Sequence, residues 1–233
     1  MSAGALNRFD HQVAIAFLAK ADRRLARLME RATEFQIEPR ESESPYSSLF
    51  RAIVYQSISG KAAATIFGRI VALGKDGSCP TPEELLRVRP AALRQAGLSR
   101  AKIAAIRDLA QKTMEGVVPT LEQAHAMTDQ ELVERLIAVR GIGAWTVEMF
   151  LIFQLRRPDV LPIHDYGVLK GFALTYGKKR LPKPRELAAY GERWRPYRTV
   201  ASWYMWRAVQ LAGKDARKIR KEVKKRPGKP KKR

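Results

Sequence analysis

Apolar residues recur along this chain at intervals of three and four positions, which is the spacing of a helix with one buried face. A clear example begins near residue 47, where the apolar positions are Leu49, Phe50, Ile53 and Val54. Nowhere do apolar and polar residues alternate over a length that would favour a β-strand. The pattern therefore predicts an all-α protein.

Capping residues and glycines predict where several of these helices begin and end. Thr81 and Glu84 have the spacing of a capping box, with Pro82 at the first helical position. Gly97 is expected to end a short helix and Ser99 to start the next one. Longer periodic segments predict one continuous helix over residues 10–34 and further helices over residues 61–73, 166–175 and 197–212.

The most informative segment joins two helices through a turn that contains two glycines. A capping box at Thr128 and Glu131 starts an amphipathic helix, whose apolar stripe is Leu132, Val133, Leu136 and Ile137. The sequence V-R-G-I-G-A-W-T follows, with glycines at positions 141 and 143. Residues 147–155 are almost all apolar and predict a second helix that is buried on every side.

Two interpretations of this turn are open from the residues alone. Glycines one residue apart allow positive φ and a close approach of the backbone to a ligand, and free amides at a helix N-terminus favour an anion such as a phosphate. Equally, a glycine can simply end one helix before it packs against the next. The net charge of +21 favours the first interpretation, because such a protein attracts a polyanion.

The positive charge is concentrated at the C-terminus. Residues 214–233 contain 12 lysines and arginines but only Asp215 and Glu222 as acidic residues. This composition predicts a disordered tail that adds affinity for nucleic acid through counterion release, with a purely solubilising tail as the alternative. A basic run of this kind also resembles a nuclear localisation signal, although such signals are weak.

Composition excludes several other classes of protein. Cys79 is the single cysteine, which excludes an internal disulfide and any four-cysteine zinc or iron–sulfur site. No apolar run approaches the roughly 20 residues that span a bilayer, and the N-terminus lacks the profile of a signal peptide. We therefore expect a cytoplasmic protein without a membrane partner, associated with the nucleoid if the source is bacterial.

Several motifs together resemble a known family of enzymes. Asp165 follows Gly143 by 22 residues within the sequence L-P-I-H-D-Y. A glycine-containing hairpin followed at this spacing by an aspartate is similar to the helix-hairpin-helix (HhH-GPD) superfamily of DNA glycosylases, and specifically to its DNA-3-methyladenine glycosylase II branch. The resemblance covers most of residues 45–212 and extends to three further motifs, which are residues 55–63, residues 96–99 with Lys102, and residues 192–198 with Trp206.

The resemblance implies a fold and a division of the chain. Members of this branch have two helical subdomains with a cleft between them, and the additional β-rich domain of longer members has no counterpart in this sequence. The implied division places residues 1–60 with residues 172–213 in one subdomain and residues 61–171, with the hairpin, in the other. Residues 214–233 form the basic tail.

The resemblance also implies the chemistry. Asp165 would be the catalytic carboxylate that stabilises the positive charge of the sugar when the base departs. His164 would orient Asp165, with an ordinary surface histidine as the alternative. As an isolated residue, Asp165 would more often be a helix N-cap, and the two roles are compatible. Members that also nick the strand carry a lysine where Trp145 stands here, so a monofunctional enzyme is implied. The substrate-pocket residues would be Trp145, Trp206, Gln56, Tyr55 and Tyr166, with core packing as the alternative for the two tryptophans.

The remaining implied roles concern contacts with DNA. The residues that would bind the DNA backbone are Arg140, Gly141, Ile142, Gly143 and Thr146. Ser57 would be the wedge that fills the gap left by the flipped base, but a serine is small for this role, and Tyr55 or another loop is the alternative. No cofactor and no metal are required, although the carbonyls of Ile137, Val139 and Ile142 occupy positions that can bind a monovalent cation.

The function implied is that of a monofunctional DNA glycosylase, which flips and excises alkylated bases of the 3-methyladenine type and leaves an abasic site in base excision repair. Its expected partner is double-stranded DNA that contains damaged bases, and we expect a monomer. Two alternatives remain from the sequence. One is a uracil- or thymine-mismatch glycosylase on the same fold, and the other is a helix-hairpin-helix module that binds DNA without chemistry.

Overall fold

All regular structure in the described part of the chain is helical. The computed structural model describes residues 9–37, 44–75 and 77–225, and the side chains only as far as residue 213. Within these ranges we number the helices α1 (His11–Ala21), α2 (Arg23–Arg31), α3 (Pro45–Tyr55), α4 (Gly60–Val71), α5 (Pro82–Arg87), α6 (Pro90–Ala96), α7 (Arg100–Met114), α8 (Leu121–Ala126), α9 (Asp129–Leu136), α10 (Ala144–Phe153), α11 (Tyr166–Thr175), α12 (Pro184–Gly191) and α13 (Arg198–Lys225), with a 3₁₀ helix at Glu192–Trp194. The all-α prediction is confirmed.

Side-chain caps set the helix boundaries that the sequence indicated. The Thr81 hydroxyl accepts the Glu84 amide at 3.2 Å, and the Glu84 carboxylate accepts the Thr81 amide at 3.1 Å. Thr128 and Glu131 form the same reciprocal pair at the start of α9. Gly97 ends α6 in a left-handed conformation, with φ 111°. These capping predictions are confirmed because each depends on residues only a few positions apart.

The predicted continuous helix over residues 10–34 is wrong, because the chain is extended at Asp22 and separates α1 from α2. Asp22 is buried and caps α2 through its Oδ1 atom. Its Oδ2 atom accepts the hydroxyls of Tyr176 at 2.5 Å and Tyr190 at 3.0 Å and the indole N–H of Trp194 at 3.1 Å. Burial acts to raise the pKa of Asp22, but these donors outweigh it and lower the pKa below its usual value.

The helices form two compact units. The first lies within Ile37–Arg157 and contains α3 to α10, while the second combines Arg8–Gln36 with Pro158–Arg233 and contains α1, α2 and α11 to α13. This grouping differs from the division implied by the sequence at both boundaries. The physical reason is that α3 packs against α4 and α7, and the whole of α11 packs against α13.

The second unit depends on an unusually close approach of α11 and α13. A Cβ added at Gly171 would lie 2.0 Å from the carbonyl oxygen of Met205, so only glycine fits at this point of contact. Three large aromatic residues of the C-terminal segment are buried in this unit. Trp194, Trp203 and Tyr204 are each no more than 4% exposed.

Helix α13 is longer than the sequence predicted. Its backbone continues to Lys225, whereas disorder was expected from residue 214 onward. Alanine, lysine, arginine and glutamate all have high helix propensity, and a helix that extends an already packed one needs no new nucleation. The rest of the predicted disordered tail, residues 226–233, lies outside the described residues. Among the helices that are described, none has the length and apolar character needed to cross a membrane.

Candidate active site

The turn between α9 and α10 has the expected tight geometry, but its two glycines serve different purposes. Gly141 has φ 80°, a conformation that strongly favours glycine, and an added Cβ would meet that of Ala105 at 3.1 Å. Gly143 has φ −106°, which any residue can adopt, and it is the N-cap of α10 without a side-chain hydrogen bond. Gly143 and Ala144 are both exposed, so the N-terminus of α10 is accessible to an approaching anion.

Two side chains from elsewhere in the first unit hold this turn. The backbone N–H of Arg140 donates to Oδ2 of Asp108 at 2.7 Å, and Asp108 also forms an ion pair with Lys112 at 2.9 Å. Partial burial opposes ionisation of Asp108, but these donors lower its pKa overall. Gln56 donates its side-chain N–H to the carbonyl of Gly141 at 3.0 Å. The turn is therefore fixed in place before any ligand binds.

The residues predicted to bind the DNA backbone differ in how exposed they are. The side chains of Thr146 and Ile142 are buried, and the Thr146 amide donates to the carbonyl of Gly143 at 2.9 Å. The side chain of Thr146 packs inward on the first turn of α10, and a contact of this residue with the DNA backbone stays a prediction. Arg140 is exposed, as are Gly141 and Gly143. These three residues form the accessible part of the turn.

The monovalent-cation site implied at three carbonyls stays a prediction. The carbonyl of Val139 accepts the Ile142 amide at 3.1 Å, which occupies part of its capacity. Ile137 is the C-cap residue of α9 and is exposed. Among the described residues there is no cluster of histidine, cysteine, aspartate or glutamate that could hold a metal ion.

The loop after α3 is anchored by a lysine. Lys102 donates from Nζ to the carbonyls of Val54 at 2.6 Å and Gln56 at 2.7 Å, and burial lowers the pKa of this lysine. Ser57 follows with φ 57° and an exposed side chain. The loop is thus held at its base, and Ser57 stands at an exposed position, although its small volume still argues against the wedge role. That role stays a prediction.

A cavity of about 650 Å³ opens between α3 and α10 in the first unit. It brings together three of the predicted pocket residues, Tyr55, Gln56 and Trp145. None of residues 147–155, the segment predicted to be buried on every side, is exposed, whereas Trp145, which precedes them on α10, is 46% exposed. The other lining residues are Ser48, Leu49, Arg51, Ala52, Ser57, Thr146, Met149, Phe150 and Phe153.

In the second unit, Asp165 is held by two hydrogen-bond donors. It is the N-cap of α11, and its Oδ1 atom accepts the Val168 amide and the Trp206 indole N–H, each at 2.8 Å. A Cβ at Gly167 would lie 2.7 Å from Cδ1 of Trp206 and 3.0 Å from Oδ1 of Asp165, so a glycine at this position permits the contact. The structure therefore fixes the orientation of the carboxylate.

The other residues predicted near Asp165 lie in different environments. Trp206, predicted to line the substrate pocket, is half-buried and directs its indole N–H to the carboxylate. Tyr166 is 67% exposed at the first position of α11. His164 is also exposed, and its predicted orienting role stays a prediction. Sequence reasoning placed Trp206 at the site but assigned it to the base and not to the carboxylate.

Residues 50–196 match the model of the HhH-GPD superfamily of base excision DNA repair proteins. The chain belongs to this HhH-GPD superfamily. The matched range includes both the glycine turn and Asp165, but it ends before Trp206, so the hydrogen bond from Trp206 comes from outside the matched region.

Named relatives of this HhH-GPD protein include a yeast and a bacterial enzyme. The DNA-3-methyladenine glycosylase 1 of Schizosaccharomyces pombe is 38% identical over 172 residues, which cover 74% of this chain and 75% of the relative. The DNA-3-methyladenine glycosylase 2 of Escherichia coli is 28% identical over 166 residues, which cover 67% of this chain and 55% of the relative.

Solved structures of HhH-GPD proteins share the fold. A Schizosaccharomyces pombe 3-methyladenine DNA glycosylase, solved in complex with abasic DNA, superposes with a TM-score of 0.74 at 35% identity and covers 83% of this chain and 94% of its own. A DNA-3-methyladenine glycosidase from Bacillus halodurans has a TM-score of 0.78 at 35% identity, with 87% and 91% covered. The predicted resemblance to the 3-methyladenine glycosylase branch is confirmed.

Proposed function

We propose that this protein is a monofunctional DNA glycosylase that flips alkylated bases of the 3-methyladenine type out of duplex DNA and hydrolyses their N-glycosidic bonds. The observation that carries the proposal is the carboxylate of Asp165, whose Oδ1 atom accepts both the Val168 amide and the Trp206 indole N–H. The named relatives support the substrate class, since both are 3-methyladenine glycosylases.

The reaction requires the carboxylate of Asp165 to stabilise a positive charge that develops on the sugar. When the bond between C1′ and the base nitrogen breaks, its electron pair leaves with the base and the sugar becomes an oxocarbenium-like cation. A fixed carboxylate stabilises that cation without the cost of reorganising at the moment of reaction. Water then bonds to C1′ and releases a proton, which Asp165 or solvent accepts, leaving an abasic site.

Trp145 supports the monofunctional assignment. Cleavage of the strand through a covalent intermediate requires an amine that forms a Schiff base with the sugar. At the first turn of α10, where strand-nicking members of this superfamily carry that lysine, this chain has an indole that opens into the cavity. The product is therefore an abasic site in an unbroken strand.

Duplex DNA with a damaged base is the proposed partner, bound by a monomer. The exposed turn presents the backbone amides of Gly141 and Gly143, next to the side chain of Arg140, to a phosphate. Such contacts set register without reading sequence. The net charge of +21 adds a salt-dependent attraction to the whole backbone. Binding should consequently weaken steeply as the salt concentration rises.

The first test is the product released from methylated DNA. Duplexes with a single 3-methyladenine or 7-methylguanine are incubated with the full-length protein, and free bases are separated by chromatography while strand integrity is followed before and after alkali. We expect free methylated base together with strands that break only after alkali treatment, because the abasic site is alkali-labile and the enzyme lacks the lyase amine.

Each other result would contradict a defined part of the proposal. Duplex binding without base release would identify a non-catalytic binding module. Release restricted to uracil or mismatched thymine would identify the mismatch-specific alternative on the same fold. Strand breakage before alkali would overturn the monofunctional assignment.

Trp206→Phe is expected to slow base release about 100-fold under single-turnover conditions, since a misplaced catalytic group costs roughly that factor. Phenylalanine retains most of the ring but cannot donate to Asp165, so the carboxylate loses its fixed orientation. Trp203→Phe is the matched control on the same helix, where the ring is buried against Phe35 and Tyr204.

The two tryptophan variants separate orientation from packing. The control should lower the unfolding midpoint through the cavity that it leaves, with base release preserved at temperatures well below that midpoint. Trp206→Phe should show the opposite combination, with stability retained and the rate lost. Equal rate losses in both variants would show that Trp206 contributes only to packing.

A further inference from the structure

The cavity in the first unit contains a positively charged side chain that was not predicted from the sequence. Among its described lining residues, Arg51 is the one with an ionised side chain. Its guanidinium lies 4.4 Å from the ring centroid of Tyr55 and 5.3 Å from that of Phe67. Stacking on two rings restricts the position of the positively charged guanidinium.

The contact between Arg51 and Tyr55 affects which aromatic rings of the cavity can stack on a base. One face of the Tyr55 ring is already engaged within the protein by the guanidinium of Arg51. Trp145 lines the same cavity and is 46% exposed. A base that enters the cavity therefore meets one accessible indole and one cation.

In every glycosidic cleavage the base becomes more negative. The electron pair of the broken bond moves onto the base, so a cationic alkylated purine leaves neutral, and a neutral base leaves as an anion that must be protonated. A cation beside the base is repelled by a cationic substrate, and this repulsion falls as the bond breaks. The cation therefore lowers the barrier relative to the bound state, while it weakens binding of a cationic base.

We propose that Arg51 is a specificity-determining residue that acts on the charge of the base: it accelerates departure of the base and penalises binding of cationic bases relative to neutral ones. The proposal rests on the proposed function, because it assigns the cavity to the excised base. The stacked geometry on Tyr55 and Phe67 holds the charge in place, so that the effect does not depend on a mobile side chain.

The test separates binding from the rate of bond cleavage. Arg51→Gln removes the charge and Arg51→Lys retains it, and each is compared with the native protein on a duplex with one 7-methylguanine and on the matched unmodified duplex. Arg51→Gln should lower the single-turnover rate constant on the order of tenfold. It should also bind the lesion duplex more tightly relative to the unmodified one, whereas Arg51→Lys should preserve both values within about threefold.

A control variant and a stability measurement complete the design. Arg69 is an exposed arginine on α4 that does not line the cavity, so Arg69→Gln removes one charge from the same unit and reports general DNA electrostatics alone. Unfolding midpoints of all variants show whether loss of the stacking on Tyr55 and Phe67 disturbs the fold. A charge effect requires a lower rate in Arg51→Gln at temperatures where that variant is fully folded.

The outcomes for this proposal differ from those for the proposed function. If the native protein releases no methylated base, the proposed function fails. If it does release base, an unchanged rate in Arg51→Gln would overturn the role of Arg51. A loss in Arg51→Lys as large as that in Arg51→Gln would also overturn it, because the lysine retains the charge.

Discussion

Asp165→Asn is expected to reduce the release of methylated bases by a factor of about 1,000 or more, which is the scale of losing a principal electrostatic stabiliser in a preorganised site. The substitution removes the negative charge but keeps a side chain that caps a helix nearly as well as aspartate does. The amide oxygen can still accept the Val168 N–H that Asp165 accepts at 2.8 Å. Single-turnover base release is the measurement, with duplex affinity and the unfolding midpoint expected to stay near native values.

A matched substitution separates the charge from the cap. Asp10 is also the N-cap of a helix in the second unit, and its Oδ1 atom accepts the amides of Gln12 at 2.8 Å and Val13 at 3.2 Å. Asp10→Asn therefore makes the same chemical change at a comparable cap and should leave base release unchanged. If Asp165→Asn also retained native turnover, the catalytic assignment would fail while the capping role remained.

Features that depend on neighbours in sequence were predictable. The capping boxes at Thr81 and Thr128 and the left-handed end of α6 at Gly97 join residues only a few positions apart, so their chemistry is visible in the sequence itself. The cap at Asp165 belongs to the same class, and so does the tight turn at Gly141. These short-range features predicted several helix ends from the sequence alone.

Features that depend on packing between distant segments were not predictable. The hydrogen bond from Trp206 to Asp165 joins residues 41 positions apart, and that from the Arg140 amide to Asp108 joins residues 32 apart. In the sequence, Asp108 and Lys112 indicate only an ordinary helix-surface ion pair. The spacing of residues along the sequence does not show which distant partner a polar side chain will reach. These two hydrogen bonds were therefore identified only from the structure.

A sequence signal for the close approach of α11 and α13 was nevertheless present. Gly167 and Gly171 are four residues apart and therefore lie on one face of α11. Small residues at that spacing allow two backbones to approach closely. In the structure, Gly167 faces Trp206 and Gly171 faces the backbone of Met205, so both glycines belong to the contact with α13 that supports Asp165.

Gly171→Ala is expected to destabilise the protein by about 3 kcal/mol or more, because its Cβ would lie 2.0 Å from the carbonyl oxygen of Met205. The obstacle is backbone, so Met205→Ala should not relieve it, and α11 must move away from α13. For a chain of this size the unfolding midpoint should fall by roughly 6–12 °C. The hydrogen bond from Trp206 to Asp165 crosses the same pair of helices, so base release should fall with it.

Gly68→Ala is the matched control, since Gly68 lies within α4 and an added Cβ there meets no atom within 4 Å. Alanine at an open helical position should stabilise the protein by about 0.5–1 kcal/mol, because glycine loses more backbone entropy on folding. The unfolding midpoint is therefore expected to fall in Gly171→Ala and to rise in Gly68→Ala, although the chemical change is the same. A midpoint for Gly171→Ala at or above the native value would show that α11 and α13 can separate without cost. The contact at Gly171 would then not be what maintains the position of Asp165.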